Sequence, residues 1–96
     1  MILHINTKDQ KVIRVVLKDK NKVIKSLSAK NKYGSQVLLP LIVKLGAQWE
    51  VLDGIEVETG PGSFTGIRVG VAVANALGYS LGIPVNGKKI ETDLVY

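Results

Sequence analysis

Residues 57–82 read VETGPGSFTGIRVGVAVANALGYSLG, and this stretch decides the fold. Two glycines and a proline interrupt the chain at 60–62, and no charged residue occurs from 69 to 82. The sequence predicts a tight turn followed by a helix over 63–81, with Gly82 as its stop. Because almost every side of this helix is apolar, it must be covered by other protein on almost every side.

Small residues recur at every fourth position of this helix and form a stripe along one side. Each internal glycine costs roughly 1 kcal/mol relative to alanine, so a close neighbour must offset the loss. We expect the backbone of another protein's helix to approach this stripe. The stripe consists of Gly62, Gly66, Gly70, Ala74, Gly78 and Gly82. The opposite side, expected to face the chain's own sheet, consists of Ile67, Val69, Val71, Val73, Leu77 and Leu81.

Short apolar segments bounded by polar clusters predict the remaining elements. A three-stranded antiparallel meander is followed by a helix, a strand, the long helix and a short parallel strand. Pro40 lies inside the first helix and should kink it or delay its start. The predicted strands are 2–6, 11–17, 22–28, 53–58 and 83–85, and the first helix is 35–46.

The predicted order β-β-β-α-β-α-β belongs to the α/β class, with a mixed sheet whose parallel unit needs a right-handed crossover. This is the order of the ribonuclease-H-like half of actin/Hsp70-type (ASKHA) proteins. A chain of 96 residues is long enough for one domain. We assign 1–87 to a single lobe and leave 88–96 as an unassigned tail.

The composition excludes several kinds of site. The chain has no cysteine, which rules out disulfides, zinc knuckles and thiol nucleophiles. Its beginning does not resemble a secretory signal, and the uncharged run at 69–82 is shorter than the ~20 residues of a membrane span. We therefore expect a cytoplasmic protein that does not enter a membrane.

The charge is unevenly distributed. Residues 1–49 carry ten lysine and arginine residues against two aspartates, whereas residues 50–96 carry three basic and six acidic residues. Two interpretations stay open: the lysines protect strand edges, or the basic half attracts RNA or an acidic protein. No Phe, Trp or Tyr occurs before Tyr33, so a base-stacking platform is not predicted.

The glycine turn raises a second hypothesis, because backbone N–H groups at a helix N-terminus bind phosphate. The turn does not match a Walker A loop, which needs a lysine, and Thr65 replaces the third glycine of a dinucleotide-binding fingerprint. A tight turn with Ser63 as helix cap remains the alternative. The candidate phosphate-binding residues are Thr7, Gly60, Gly62, Ser63, Thr65 and Arg68.

Both predicted helices are so poor in polar residues that we expect an exposed apolar patch, which is typical of a protein interface. The alternative is that helix 35–46 covers the long helix within one chain. The predicted interface residues are Leu38, Leu41, Ile42, Leu45, Gly66, Gly70, Ala74 and Gly78.

The motif GPGSFTGIRVG, followed by an alanine-rich helix and the strand IPV, resembles the signature of the bacterial TsaB family of tRNA threonylcarbamoyladenosine biosynthesis proteins (YeaZ; Gcp or peptidase M22-like). SQVLLPLI resembles the family's first helix, and LHINTK stands where the family has an Ile-Asp-Thr strand end. The resemblance covers about residues 1–87. Family members are about twice as long as this chain and have a second lobe of the same fold.

This resemblance implies a non-catalytic partner of a TsaD-type transferase, an ATP-dependent metal enzyme. That enzyme modifies the adenosine next to the anticodon of tRNA with the help of a TsaE-type ATPase. The resemblance also implies that helices 35–46 and 63–81 contact TsaD or a second copy of the chain. Contact with tRNA is then indirect, and the protein alone is expected to be a homodimer.

The chain departs from the family pattern at two positions. Asn6 replaces the acidic strand-end residue, and Gly34 replaces a histidine before the first helix. His4 is the one histidine and lies inside a predicted strand, where we expect a packed or edge imidazole rather than a ligand. We predict no metal, no catalytic residue and no protease activity, since no nucleophile–base pair can be assembled.

Two other functions remain open. One is binding of ATP or ADP, with or without weak ATPase activity, through Gly60–Thr65 and Thr7; otherwise no cofactor is expected. The other is direct contact between tRNA and the basic meander from Lys8 to Lys32, which predicts a steep salt dependence.

Overall fold

In the computed structural model, the described residues are 1–9, 11–30, 34–46, 48–60 and 64–88, and of residues 34, 35, 64 and 65 only the backbone is described. The elements are β1 (Ile2–Asn6), β2 (Val12–Asp19), β3 (Lys22–Lys30), α1 (Gly34–Lys44), a 3-10 turn (Trp49–Val51), β4 (Gly54–Val57) and α2 (Phe64–Leu81). The predicted α/β class is confirmed, and so is the order of elements up to α2. The predicted last strand is reduced to a parallel bridge between Val85 and Ile55.

The four strands form one mixed sheet in the order β3-β2-β1-β4. β2 pairs antiparallel with both β1 and β3, whereas β1 and β4 are parallel, with Leu3 beside Ile55. α1 contacts β2 and β3, and α2 contacts β4 and β1. The two helices therefore cover one face of the sheet, here called the helix face. The other face, here called the open face, carries mostly polar side chains.

The core lies between the helix face and the two helices. Alternate strand residues are buried, because alternate side chains point to the same side of a sheet. α1 contributes the residues of its inner side, and α2 contributes Ala74, which is fully buried. The buried apolar residues are Leu3, Ile5, Ile13, Val15, Leu17, Leu38, Leu41, Ile42, Leu45, Leu52, Ile55, Val57, Ala74 and Val85.

α1 begins at Gly34 and continues through Pro40, so the predicted delay of its start is wrong. Pro40 has no N–H to donate to the carbonyl four residues earlier. Because Pro40 and Gln36 are both exposed, water can satisfy that carbonyl. The predicted helix stops are confirmed: Gly46 and Gly82 have φ of +78° and +69°, the left-handed conformation that closes a helix.

α2 lies against the sheet through its small residues. Gly70 is buried over Thr7 and Val57, and a Cβ on Gly70 would overlap the Thr7 hydroxyl. Thr7 Oγ1 donates to the Gly66 carbonyl at 2.5 Å and so joins the end of β1 to the first turn of α2. The predicted orientation of α2 is therefore wrong: the small-residue stripe faces the chain's own sheet rather than a foreign backbone.

The valine and leucine side chains of α2 pack around the margin of the core instead of at its centre. They are partly buried, and they flank the stripe that contacts the sheet. Close approach of a helix to a sheet is easiest where the helix has no side chains in the way, so the chain itself offsets the cost of these glycines. The partly buried residues are Val69, Val71, Val73, Leu77 and Leu81.

Replacing Gly70 with alanine is expected to destabilise the fold by a net ~1–2 kcal/mol. The added methyl group overpacks the contact with Thr7, and this loss exceeds the roughly 1 kcal/mol that alanine gains over glycine in a helix. Thr7→Ala should also destabilise, because the Gly66 carbonyl loses its donor. In the double variant, however, it removes the hydroxyl that the methyl group introduced by Gly70→Ala would overlap. Urea unfolding of the double variant should therefore show a smaller loss than the two single losses combined.

Ala76→Gly, at an exposed position of the same helix, is the control for helix propensity and should cost about 1 kcal/mol. Additive losses for Gly70→Ala and Thr7→Ala would contradict the proposed contact.

Candidate functional site: the outer side of the helices and the open sheet face

The four residues predicted to contact a partner from the first helix, three in α1 and Leu45 directly after it, belong to the core. Leu38, Leu41, Ile42 and Leu45 have exposed fractions of 8% or less. Their spacing of three and four residues places them on the inner side of α1, which packs against β2, β3 and α2. A partner cannot reach these side chains in this structure, so the prediction named the wrong side of α1.

The predicted interface residues of α2 are also turned inward. Gly70, Ala74 and Gly78 are buried, and Gly66 is partly exposed. Most of the predicted interface residues of both helices therefore lie in the interior of the chain. For α2, the reason is that its smallest residues allow the closest approach to the sheet. Any partner must contact other residues of the same helices.

Neighbouring positions on both helices carry exposed apolar side chains. Leu39 and Val43, one turn apart on α1, are 46% and 61% exposed, and Tyr79 on α2 is 47% exposed. Ala76 is exposed one turn before Tyr79. We call these four residues the outer helical face. Since α1 and α2 are in contact, these side chains lie on adjacent helices, an arrangement typical of a protein interface.

Sequence analysis did not single out the outer helical face. Its signal was present, because a helix that is apolar on all sides must turn some apolar residues away from its own core. Charged residues are few on the two helices: Lys44 is the one charged residue of α1, and Arg68 is the one charged residue of α2. Neither helix in the described segments has the length and hydropathy that crossing a bilayer requires.

The candidate phosphate-binding residues do not form a common site in the described part of the chain. Thr7 is buried, and its hydroxyl donates to the Gly66 carbonyl, so the prediction that it faces a phosphate is wrong. Gly60 is exposed. Arg68 is exposed in the first turns of α2, where it already has an interaction partner. Gly62, Ser63 and the side chain of Thr65 lie outside the described residues.

The open face carries a row of polar side chains on β2, β1 and β4 and just beyond the ends of β1 and β4, in which two lysines flank two glutamates and His4. Lys18 Nζ lies 2.6 Å from Glu56 Oε1, and Lys8 Nζ lies 3.2 Å from Glu58 Oε1. Between the two carboxylates, His4 places Nδ1 3.0 Å from Glu56 Oε1 and Nε2 3.0 Å from Glu58 Oε2. We call these five residues the charged ladder.

Sequence analysis expected a packed or edge imidazole at His4 and did not foresee the charged ladder. The signal was the polar side of β4, where Glu56 and Glu58 alternate with buried residues. Parallel pairing puts His4 directly beside Glu56, but that register cannot be read from the spacing along the chain.

The charged ladder lowers the pKa of both glutamates. For Glu56 the hydrogen bond from Lys18 is the main cause of the lowered pKa, followed by the bond to His4. For Glu58 the hydrogen bond from Lys8 is the main cause, and burial of the carboxylate partly opposes the lowering of its pKa. Within the described residues, no group of histidine and acidic side chains is placed to hold a metal ion.

A shallow cavity of about 640 Å³ lies beside the charged ladder, at the outer edge of β4. Asn86 lines this cavity and has a φ of +49°. Its side-chain amide makes hydrogen bonds to β4 that a neighbouring strand would otherwise make. Val57 N donates to Asn86 Oδ1 at 2.9 Å, and Asn86 Nδ2 donates to Val57 O at 3.1 Å. Together with backbone hydrogen bonds from Ile55 to Pro84 and from Asn86 to Ile55, this amide closes the outer edge of β4.

Comparison with known proteins gives one family model that matches, described as TsaD: tRNA N6-adenosine threonylcarbamoyltransferase, over residues 25–87. The chain is 38% identical over 73 residues to the tRNA threonylcarbamoyladenosine biosynthesis protein TsaB of Buchnera aphidicola subsp. Schizaphis graminum, which covers 71% of this chain and 35% of that protein. The protein of the same name in Bacillus subtilis is 48% identical over 42 residues, covering 43% of this chain and 18% of the relative.

Among solved structures, YeaZ from Pseudomonas aeruginosa superposes with a TM-score of 0.78 and 28% sequence identity, covering 88% of this chain and 42% of YeaZ. The chain thus spans less than half the length of these relatives. The resemblance to the TsaB family that the motif GPGSFTGIRVG indicated is confirmed.

The charged ladder predicts a specific response to acid. A carboxyl group whose pKa is lowered in the folded state stabilises the fold above its unfolded pKa, about 4.3 for glutamate, and loses that contribution as the pH falls through the folded pKa. Lys18→Met removes the main cause of the lowered pKa of Glu56. We expect the variant to lose less unfolding free energy than the parent between about pH 5 and pH 3.

The measurement is urea unfolding over that pH range, together with NMR titration of the Glu56 carboxyl group. Lys44→Met, which removes an exposed lysine of α1, should leave the pH profile unchanged. An unchanged profile for Lys18→Met would show that the ladder does not act on Glu56.

Proposed function

The chain belongs to the family whose model is described as TsaD: tRNA N6-adenosine threonylcarbamoyltransferase, and from this premise we propose that, within this family, it is a non-catalytic partner protein in the synthesis of threonylcarbamoyladenosine in tRNA. Its similarity to TsaB-named relatives, which are themselves described as biosynthesis proteins for this nucleoside, supports the proposal. Residues 1–87 act as one lobe in this proposal.

The arrangement of the polar residues supports a non-catalytic role. A hydrolase or transferase of the acyl type needs a nucleophile next to a general base. Both ring nitrogens of His4 lie beside glutamate oxygens, and the hydroxyl of Thr7 is bound to the Gly66 carbonyl. In the segments that the structure describes, these groups are therefore engaged in holding the sheet and α2 together.

The proposed partner is a TsaD-type transferase, and the contact surface is the outer helical face. The observation that carries this proposal is the exposure of Leu39, Val43 and Tyr79 on two helices that are in contact with each other. Large apolar side chains on adjacent helices gain most when a second protein covers them. A TsaE-type ATPase joins the same complex, and tRNA is reached through the transferase.

In the absence of the transferase, the same surface would pair with a second copy of the chain. The apolar side chains that a partner covers remain costly to leave in water, so self-association competes with transferase binding. Dimer and complex are then alternatives that share one surface.

The test is a matched pair of valine substitutions. Val43 on α1 and Val23 on β3 have the same exposed fraction, 61%. We expect Val43→Glu to reduce co-purification with the TsaD-type transferase of the same organism by more than about tenfold, because it places a charge inside an apolar contact. Val23→Glu should leave co-purification unchanged.

Circular dichroism and urea unfolding of both variants check that the fold is retained. Equal retention of the transferase by Val43→Glu and by the parent would remove the outer helical face as the contact. Loss with Val23→Glu alone would move the contact to the sheet.

A further inference from the structure

The edge of the sheet opposite β4 is formed by β3. β3 is the last strand on its side of the sheet and pairs with β2 alone among the described strands. It is nine residues long, Lys22–Lys30, and therefore about 30 Å in length. An unpaired strand edge presents a row of free backbone N–H and C=O groups, which another extended chain can use.

Exposed apolar side chains lie along this edge. Val23 and Ile24 are 61% and 54% exposed, and they lie where the register of β3 against β2 shifts, because Lys18 pairs with Val23 and Leu17 with Lys25. Val23 also lines a cavity of about 300 Å³ on the open face, together with Val16 and Arg14. An added strand would find exposed apolar side chains to contact at this edge.

Every charged residue of β3 is a lysine. From residue 20 to residue 30 there are four lysines and no acidic residue: Lys20, Lys22, Lys25 and Lys30. Lys8 and Lys18 are paired with Glu58 and Glu56, whereas the structure describes no ion pair for these four lysines within the segments it covers. We call the four lysines, together with Val23 and Ile24, the β3 edge.

The register keeps these positive charges apart within the chain. Lys25 lies opposite Leu17, Lys30 opposite Val12 and Lys22 opposite Asp19, so none of these lysines faces another cation on β2. Pairing of the β3 edges of two copies would instead bring the lysines of both together with no carboxylate between them, which is unfavourable. A second copy is therefore a poor occupant of this edge.

We propose that the β3 edge binds an acidic, extended polypeptide segment, which adds to the sheet as a fifth strand. Backbone hydrogen bonds supply the register, alternate apolar side chains cover Val23 and Ile24, and the remaining carboxylates pair with the lysines. The lysines then act selectively: they prevent pairing with neutral or basic strands and permit pairing with an acidic one. This binding is independent of the outer helical face.

The probe is a fluorescent peptide of alternating glutamate and valine, measured by fluorescence anisotropy against the full chain. We expect saturable binding that weakens with increasing salt. A peptide of the same composition with a central proline should bind at least about tenfold more weakly, because proline cannot complete the strand pairing. Hydrogen exchange should slow at backbone amides of β3 when the peptide is bound.

Charge variants test the role of the lysines. Lys22→Gln combined with Lys30→Gln should weaken peptide binding at least about tenfold. Lys44→Gln combined with Lys88→Gln changes the net charge equally at exposed sites on other elements and should have little effect. Both double variants keep the outer helical face, so co-purification with the transferase should be unchanged.

Three results would overturn the proposal: equal binding of the proline peptide, unchanged exchange at β3, or equal loss in both double variants. The same titration with a tRNA transcript separates the two acidic partners that the charge alone allows. Tight binding of RNA with no binding of the peptide would replace the proposal with a nucleic-acid surface.

Discussion

The structure depends on one close approach, that of α2 to the ends of β1 and β4 at Gly70. Because Gly70 has no Cβ, the helix backbone lies directly over Thr7 and Val57. The Thr7 hydroxyl can then reach the Gly66 carbonyl, which ties strand to helix near the glycine turn. Because α2 lies this close to the sheet, its larger side chains lie at the margins of the core and cover it together with α1.

The sequence predicted the elements well and the orientation of α2 badly, for one physical reason. Periodicity identifies which residues share a side of a helix, but it does not identify what lies opposite that side. Gly66, Gly70, Ala74 and Gly78 suit a foreign helix and the chain's own sheet equally, since both require a close backbone approach. The orientation of α2 depends on its contact with Thr7, about sixty positions earlier in the sequence, and no pattern within the helix predicts that contact.

The candidate site shows the same limit. The two helices named from the sequence are those that carry the outer helical face, yet Leu38 and Ile42, which were named, are each one position before the exposed Leu39 and Val43. A helix turns 100° per residue, so an error of one position exchanges core for surface. His4 could be placed inside a strand, whereas its two glutamate neighbours follow from a strand register that only the folded chain defines. That the helices bind a partner stays a prediction.

Asn86 has a consequence for how this molecule can assemble. The Asn86 side-chain amide bonds both the N–H and the C=O of Val57. These two backbone groups at the edge of the sheet are therefore no longer available to a further strand. Fibrils grow because every added molecule exposes a fresh template on its far side. Among the described strands, β3 is then the edge that a further strand can join, so strand addition at β3 would leave no equivalent edge at β4 for the next molecule.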